Sequence, residues 1–133
     1  MSQAGSLISS GGTTPTNILI VVKEPTVDMT VLGSTLLFTP AMNFIMTGVY
    51  ANGINLSGVI SAPSVNIGFT APNYDDFASA TPSSVLANGQ SLLISNGNQI
   101  QVPASTGIYI KVIVADATAT SNTQRIDITG YYL

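Results

Sequence analysis

The sequence contains no cysteine, no histidine and no tryptophan among its 133 residues. Without cysteine and histidine, the chain cannot build a disulfide scaffold or a thiolate zinc site, and it cannot use a cysteine or histidine nucleophile or an imidazole base. A chain of this length fits one domain and buries roughly two thirds of the surface that its unfolded form exposes. We therefore expect one hydrophobic core and no enzyme.

Charged residues are scarce. Lys and Arg number three and Asp and Glu six, together 7% of the chain, against about 25% in an ordinary soluble domain. Neutral surfaces repel one another weakly and associate readily, so we expect a subunit of an assembly and not a free monomer. The cations Lys23, Lys111 and Arg125 are too few and too dispersed to neutralise a phosphate backbone. Direct binding to nucleic acid is therefore not expected.

Long apolar runs are missing as well. No run approaches the roughly 20 apolar residues that a membrane span requires, so no membrane partner is expected. The N-terminal sequence MSQAGSLISSGGTTPT lacks the basic start and the apolar stretch of about 7 to 15 residues that mark a signal peptide. We expect a protein that is made and used without Sec-dependent export.

The start of the chain differs in composition from the rest. Residues 1–17 are rich in Gly, Ser and Thr, which cannot bury enough apolar area to offset the entropy lost on ordering. This predicts a flexible N-terminal arm over residues 1–17 and one β-sandwich domain over residues 18–133. Two interpretations of the arm stay open: a tail without a role, or a segment that orders on a neighbouring subunit through Leu7 and Ile8.

After the arm, short runs rich in β-branched residues alternate with turn residues, and no stretch has the helical period. About eight to ten strands at a spacing of roughly 8 to 12 residues are typical of an antiparallel sandwich. We favour a jelly roll, because eight strands in two Greek keys fit the length. The predicted strands are ILIVVKE (18–24, ended by Pro25), VDMTVLG (27–33), STLLFTP (34–40), NFIMTGVYANG (43–53), INLSGVI (54–60), SVNIGFT (64–70), SLLIS (91–95), QIQVP (99–103), GIYIKVIVADA (107–117, the longest) and QRIDITGYY (124–132).

Turn signals connect these strands. Asn52-Gly53 and Asn96-Gly97 predict hairpins, because both central residues of a type I′ turn need a positive φ. The first hairpin would pair residues 43–51 with 54–60, and the second would pair SLLIS with QIQVP. Residues 71–82, APNYDDFASATP, show no alternation and are bounded by prolines, so we predict a loop with one helical turn. TATSNT, residues 118–123, is predicted to be a turn.

The C-terminal segment RIDITGYYL ends the chain on an alternating apolar pattern. Termini are usually disordered unless something holds them, so this pattern predicts a strand inside a sheet. Ile126 and Ile128 would point inward, and Lys111 could meet outward residues of this strand across a sheet. The outward residues are Arg125, Asp127 and Thr129, and the residues at the sheet end or a subunit contact are Tyr131, Tyr132 and Leu133.

Candidate chemistry is sparse. Asp75 and Asp76 are adjacent and, with Asn73, offer oxygens of the kind that calcium prefers. No further acidic cluster lies nearby, and adjacent aspartates are typical of turns, so no metal site is predicted. Two neighbouring carboxylates on one loop also rarely flank a sugar in the manner of a glycosidase, and the other acidic residues are dispersed. We predict no catalytic, metal-binding or cofactor-binding residue and no cofactor.

The remaining motifs have structural interpretations. Gly68 predicts a bulge or a close backbone approach. Asn55-Leu56-Ser57 matches the glycosylation acceptor triplet, but we expect no glycan in a chain without a signal peptide. The five tyrosines predict core and interface packing, with a sugar-stacking platform as the alternative; they are Tyr50, Tyr74, Tyr109, Tyr131 and Tyr132.

Two long segments of the C-terminal half, SVNIGFTAPNYDDFASATP and PASTGIYIKVIVADATATSNTQRIDITGYYL, resemble virion proteins of tailed bacteriophages, notably capsid decoration (cement) proteins and related tail or fibre modules. The shared pattern is an IG strand, a Y-D/N loop with ATP, a GIY/F-I-K/R-V strand, an alanine-threonine turn and a terminal TGYYL. In this chain it falls on residues 67–68, 74–82, 107–112, 115–120 and 129–133, and the resemblance covers residues 64–133. It implies a jelly-roll subunit, commonly trimeric, and it implies no catalytic residue.

Two functions follow as hypotheses. The first is a phage capsid decoration protein, located in the virion as a homotrimer, that binds the major capsid protein of the shell and stabilises the particle. The second is a tail fibre or baseplate module that binds glycan on the host surface. A recognition tip is usually one domain of a longer fibre chain, and this chain shows no coiled coil or shaft repeat. The sequence therefore favours the first hypothesis.

Overall fold

The computed structural model describes residues 19–59, 61–94 and 99–133, and it shows an all-β protein. The predicted arm, residues 1–17 with Leu7 and Ile8, lies outside the described residues. Within the described ranges, no helix is long and apolar enough to cross a membrane. The strands are β1 (Leu19–Asp28), β2 (Gly33–Phe38), β3 (Phe44–Ser57), β4 (Ser64–Gly68), β5 (Ala78–Pro82), β6 (Ser91–Leu93), β7 (Ile100–Val102), β8 (Ile108–Val114) and β9 (Ser121–Tyr132).

The strands form two antiparallel sheets. One sheet has the order β1-β9-β3-β6, with β7 also paired to β3, and the other has the order β2-β8-β4-β5. If β6 and β7 are counted as one interrupted edge strand, the first strand pairs with the last, the second with the last but one, and so on inward. This nested pairing is the eight-stranded jelly roll. The predicted fold class is confirmed, and the structure adds the strand order that the sequence left open.

The core lies between the two sheets. The last strand, β9, sits between β1 and β3, and Ile126 and Ile128 point inward with no exposed surface. The prediction that the C-terminal segment is an interior strand is confirmed. Other fully buried apolar side chains come from both sheets, from the β1–β2 turn and from the connection between β5 and β6: Met29, Phe44, Met46, Val49, Val65, Val85, Val102, Ile67, Ile108 and Ile110.

The hairpin predicted at Asn52-Gly53 is wrong, because β3 runs straight through both residues. Neither residue has a positive φ. A Cβ at Gly53 would lie 2.3 Å from the carbonyl oxygen of Ala87, so this glycine is needed for a close approach of the chain that leads to β6. Pairing along nearly the whole of β9 outweighs the local turn preference of the dipeptide.

The second predicted hairpin is also wrong in its pairing. β6 and β7 do not pair with each other; both pair with β3, at Tyr50↔Leu93 and Phe44↔Val102. The Asn96-Gly97 dipeptide itself lies outside the described residues. The two short strands are therefore successive parts of one sheet edge.

Strand ends differ from prediction in four other places. β1 continues through Pro25 with a register shift between Lys23 and Thr26; a proline has no N–H to donate, and it is tolerated at such an irregularity on an edge strand. The longest strand is β3 with 14 residues, whereas β8 has 7. β9 begins at Ser121, inside the predicted turn. The separate strand predicted over residues 27–33 is wrong, because β1 ends at Asp28 and the chain turns before β2, which leaves Val31 exposed.

The predicted loop over residues 71–82 ends in a strand, β5. No helix forms before it, but the backbone N–H of Tyr74 donates to the carbonyl oxygen of Thr70 at 2.9 Å and closes a single turn. β4 and β5 pair at Val65↔Thr81 and Ile67↔Ala78 with an irregularity between them. Asn66 faces this irregularity, and its side-chain oxygen accepts a hydrogen bond from the backbone N–H of Ala80 at 2.7 Å. The bulge breaks the alternation of β5, and this is why the sequence pattern did not reveal the strand.

Candidate functional site

The loop between β4 and β5 carries the two adjacent carboxylates. Oδ2 of Asp76 accepts hydrogen bonds from the backbone N–H groups of Phe69 and Thr70 at 2.7 and 2.8 Å, and Oδ1 accepts one from the Thr70 hydroxyl at 2.8 Å. Burial alone would raise the pKa of Asp76, but these bonds, helped by its own backbone N–H, outweigh burial and lower the pKa. Both oxygens of Asp76 therefore serve to close the loop onto the end of β4.

The same loop is packed against the outside of its own sheet. A Cβ at Gly68 would lie 2.5 Å from Oδ2 of Asp76, so the predicted close approach at this glycine is confirmed. Tyr74 stacks on Tyr109 of β8 with ring centroids 4.5 Å apart. Lys111 donates a hydrogen bond to the carbonyl oxygen of Pro72 at 2.9 Å. The loop is thus fixed to β8 by a ring stack and a charged hydrogen bond.

We expect added calcium and chelators to leave the melting temperature unchanged. Both oxygens of Asp76 already accept protein hydrogen bonds, and nowhere in the described ranges do three acidic side chains lie close enough to share a metal ion. The measurement is thermal unfolding in EDTA and in excess calcium chloride at matched ionic strength. A shift of about 5 °C or more between the two would contradict the expectation, because tight binding to the folded state stabilises it by a few kcal/mol.

A chain of buried polar side chains crosses the core between the sheets. The hydroxyl of Ser83 donates to Oε1 of Gln124, Nε2 of Gln124 donates to Oδ1 of Asn122 at 2.9 Å, and Nδ2 of Asn122 donates to Oδ2 of Asp116 at 2.9 Å. All four side chains are buried. Because each polar group has a partner, the chain can lie in the core without the cost of unsatisfied groups.

Asp116 ends this chain and also holds the connection between β8 and β9. Its Oδ1 accepts hydrogen bonds from the backbone N–H and the hydroxyl of Thr118 and from the N–H of Ala119. Burial alone would raise the pKa of Asp116, but the bonds from Asn122, Thr118 and Ala119 outweigh burial and lower it. In the described part of the chain no cation lies within ion-pair distance of this carboxylate, so hydrogen bonds alone stabilise its charge.

Sequence reasoning missed this network, although a signal was present. Asn122 and Gln124 have the same parity as the inward Ile126 and Ile128, so the alternation of β9 places them in the core. They were not recognised because a polar residue at an inward position interrupts the alternation of apolar residues by which an inward face is identified.

The solvent side of the β1-β9-β3-β6 sheet, which we call the β9 face, holds the only ion pair in the described residues. Nε of Arg125 donates to Oδ1 of Asp127 at 3.1 Å, and Nδ2 of Asn52 donates to Oδ2 of Asp127 at 3.0 Å. Both charged residues lie on the outward side of β9, as predicted, but Asp127 is buried there, with 8% of its surface exposed. The suggested contact with Lys111 is wrong, because the jelly-roll topology places β8 and β9 in different sheets.

The β9 face also carries apolar side chains in neighbouring register positions. Tyr50 pairs with Leu93 across β3 and β6, Ile45 pairs with Tyr131 across β3 and β9, and Val21 lies on β1. Tyr50 is 39% exposed and Leu93 51% exposed. A Cβ at Gly48 would lie 3.5 Å from the ring of Tyr50 and 3.8 Å from Leu93. Both side chains therefore pack beside this glycine on the β9 face.

The five tyrosines do not form one platform. Tyr74 and Tyr109 stack on the outside of the other sheet, whereas Tyr50 and Tyr131 belong to the β9 face. Tyr132 packs edge-on against Phe44 in the core with centroids 5.6 Å apart. Packing accounts for the Tyr74–Tyr109 pair and for Tyr132. Asn55 of the acceptor triplet lies exposed on β3.

The fold resembles that of a protein in a phage particle. No model of a known protein family matches the sequence, and no curated protein is similar to it in sequence. Among solved structures, a chain of the cyanophage Pam1 capsid asymmetric unit superimposes with a TM-score of 0.61 and 16% sequence identity, covering 100% of this chain and 98% of that chain. At this identity the likeness concerns the fold. The chain thus has the β-sandwich fold of a component of a phage capsid structure, in agreement with the resemblance noted in the sequence.

Proposed function

We propose that this chain is a structural virion protein that decorates a phage capsid, binding the shell of major capsid protein and stabilising the particle. The observation that carries the proposal is the similarity in fold to a chain of a cyanophage capsid structure. Because both chains are covered almost completely, the likeness extends over the whole sandwich and is not limited to a few shared strands. The sequence motifs of residues 64–133 point to the same class of virion protein.

The surface supports a role in assembly. Charged residues make up 7% of the chain, and large apolar side chains are exposed on both sheets and on the connecting loops; they include Val21, Leu32, Leu36, Met42, Ile54, Leu86, Leu93 and Val114. Burying such a surface would supply the binding free energy, while steering by long-range charge would be weak. We also propose that the protein is a homotrimer without catalytic activity.

The second candidate function is a tail fibre or baseplate module that binds host-surface glycan. Its support is the exposed aromatic ring of Tyr50, since sugar rings stack on exposed aromatic faces. This support is weaker than that for decoration, because the stacked pair Tyr74 and Tyr109 is occupied within the molecule and the other tyrosines do not extend a platform around Tyr50.

Copy number in purified particles tests the proposal. We expect this chain to be present in a number comparable with that of the shell subunits, because decoration follows the shell lattice. Quantitative mass spectrometry of purified virions, with the major capsid protein as the internal standard, measures the ratio. A handful of copies per particle would contradict decoration and favour the tail module.

A further inference from the structure

Five polar side chains of the β9 face are already bonded to one another. Arg125, Asp127 and Asn52 form one connected set, and the hydroxyls of Thr47 and Thr129 lie 2.9 Å apart in another. Covering a polar group costs free energy mainly when its hydrogen bonds with water are not replaced. These groups keep their protein partners when covered, so this face can be buried at a low desolvation cost.

The charge on the face also permits contact with a second copy of this chain. The two charged side chains described there, Arg125 and Asp127, neutralise each other, and the backbone of Lys23 lies opposite Asp127 in the register. A strongly charged surface would repel a second copy of itself, whereas this one would not. Among the side chains described on this face, no excess of one charge is available to select an oppositely charged partner.

The size of the face is sufficient for a stable contact. Four strands about 4.8 Å apart give a width of about 20 Å, and the 12 residues of β9 give a length of about 40 Å at roughly 3.3 Å per residue. The resulting area of about 800 Å² is that which each partner buries in a standard specific interface. Exposed Tyr50 and Leu93 are paired neighbours in this area, and exposed Val21 lies on β1, two strands away from Tyr50. Such side chains supply the apolar part of an interface.

We infer that the β9 face is the surface through which each subunit contacts a second copy of this chain, with Tyr50 and Leu93 as the main anchors. The inference deepens the proposed function and rests on it, because it assigns the contact that would hold a decoration oligomer together. The outside of the β2-β8-β4-β5 sheet, which is partly covered by the loop before β5, is then left for other contacts.

The test compares Leu93→Asp with Leu36→Asp. Both leucines lie on edge strands and are exposed to a similar degree, 51% and 46%, but Leu36 lies on β2, in the other sheet. We expect Leu93→Asp to raise the dissociation constant for self-association at least about 100-fold, because it buries an unpaired charge. Leu36→Asp should leave self-association within about threefold of wild type. Native mass spectrometry and light scattering over a dilution series measure both, and circular dichroism checks folding.

Each other outcome contradicts the inference. It is overturned if wild type is a monomer at micromolar concentration, if Leu36→Asp dissociates the oligomer as strongly as Leu93→Asp or more strongly, or if Leu93→Asp self-associates normally. If Leu93→Asp does not fold, Val21→Lys on the same face replaces it with the same expectation. Occupancy on particles is measured in parallel: a variant that still self-associates but no longer binds particles would assign the face to the shell and leave the proposed function intact.

Discussion

Deletion of residues 128–133 is expected to leave the chain unfolded. This segment supplies the end of β9, whose residues pair with β1 on one side and with β3 on the other. The deletion removes the fully buried Ile128 and the ring of Tyr132 that packs on Phe44. Each such side chain contributes about 1.5 to 3 kcal/mol, and the backbone groups of both neighbouring strands lose their partners as well. A domain with a total stability of about 5 to 15 kcal/mol cannot absorb this loss.

Removal of Leu133 alone is the matched control. Leu133 is 55% exposed, and its main contribution is a hydrogen bond from its backbone N–H to the carbonyl oxygen of Asn43 at 3.0 Å. We expect a loss of about 1 kcal/mol or less. Far-UV circular dichroism and urea unfolding of both truncated proteins provide the comparison. A soluble, native-like form of the longer truncation would show that β9 is not required for the sheet.

Asp116→Asn is expected to destabilise the protein by about 2 to 4 kcal/mol. Oδ1 of Asp116 accepts three hydrogen bonds and Oδ2 accepts one from Asn122. An asparagine replaces one of these oxygens by an NH₂ group, so a donor meets a donor in either orientation. Hydrogen bonds to a charged group are worth about 1.5 to 3 kcal/mol each, and leaving a buried partner unsatisfied adds to the cost. Urea unfolding at pH 7 measures the difference.

Asp28→Asn provides the control, because Asp28 accepts a similar set of local hydrogen bonds at an exposed position. Oδ1 of Asp28 accepts hydrogen bonds from the backbone N–H and the hydroxyl of Thr30 at 2.9 and 2.6 Å, as Asp116 does from Thr118 two residues along. We expect a change within about 0.5 kcal/mol. If both variants lose the same stability, the effect comes from the local turn and not from the buried network.

The effect of Asp116→Asn should also depend on pH. The pKa of Asp116 is lowered in the folded state from an ordinary value of 3.8, so the charged carboxylate contributes stability above about pH 4. This contribution is lost as the pH falls through the folded-state pKa. The difference in stability between wild type and Asp116→Asn should therefore narrow below about pH 4. A difference that stays constant down to pH 2 would contradict the role of the charge.

The sequence predicted the fold where one residue pattern continued without interruption. Ile126 and Ile128 placed the last strand in the core, and the spacing of the strands indicated a sandwich. Predictions failed where one contact distant in sequence decided the local conformation. Asn52-Gly53 has a strong turn preference, but Asp127 and the chain around Ala87 hold it extended. No window of local sequence contains those partners.

The candidate surfaces were harder to predict than the strands. The outward side of β9 was predicted correctly at Arg125 and Asp127, but the neighbours that complete the β9 face depend on which strands lie beside β9. Leu93 reaches this face only because β6 pairs with β3 and not with β7. The buried network likewise joins Ser83 to Gln124 across two sheets. Such contacts require the strand order, which alternation cannot supply.

The place of β9 in its sheet has a consequence for synthesis in the cell. β1 and β3 have no neighbour on their shared side until β9 has been made, and 92 residues lie between the end of β1 at Asp28 and the start of β9 at Ser121. At about 5 to 20 residues per second, the ribosome needs roughly 5 to 20 s to cover this distance. During that time the nascent chain exposes the unpaired β9 side of both strands, with few charges to keep copies apart. Folding of this jelly roll is therefore completed only when its last strand leaves the ribosome.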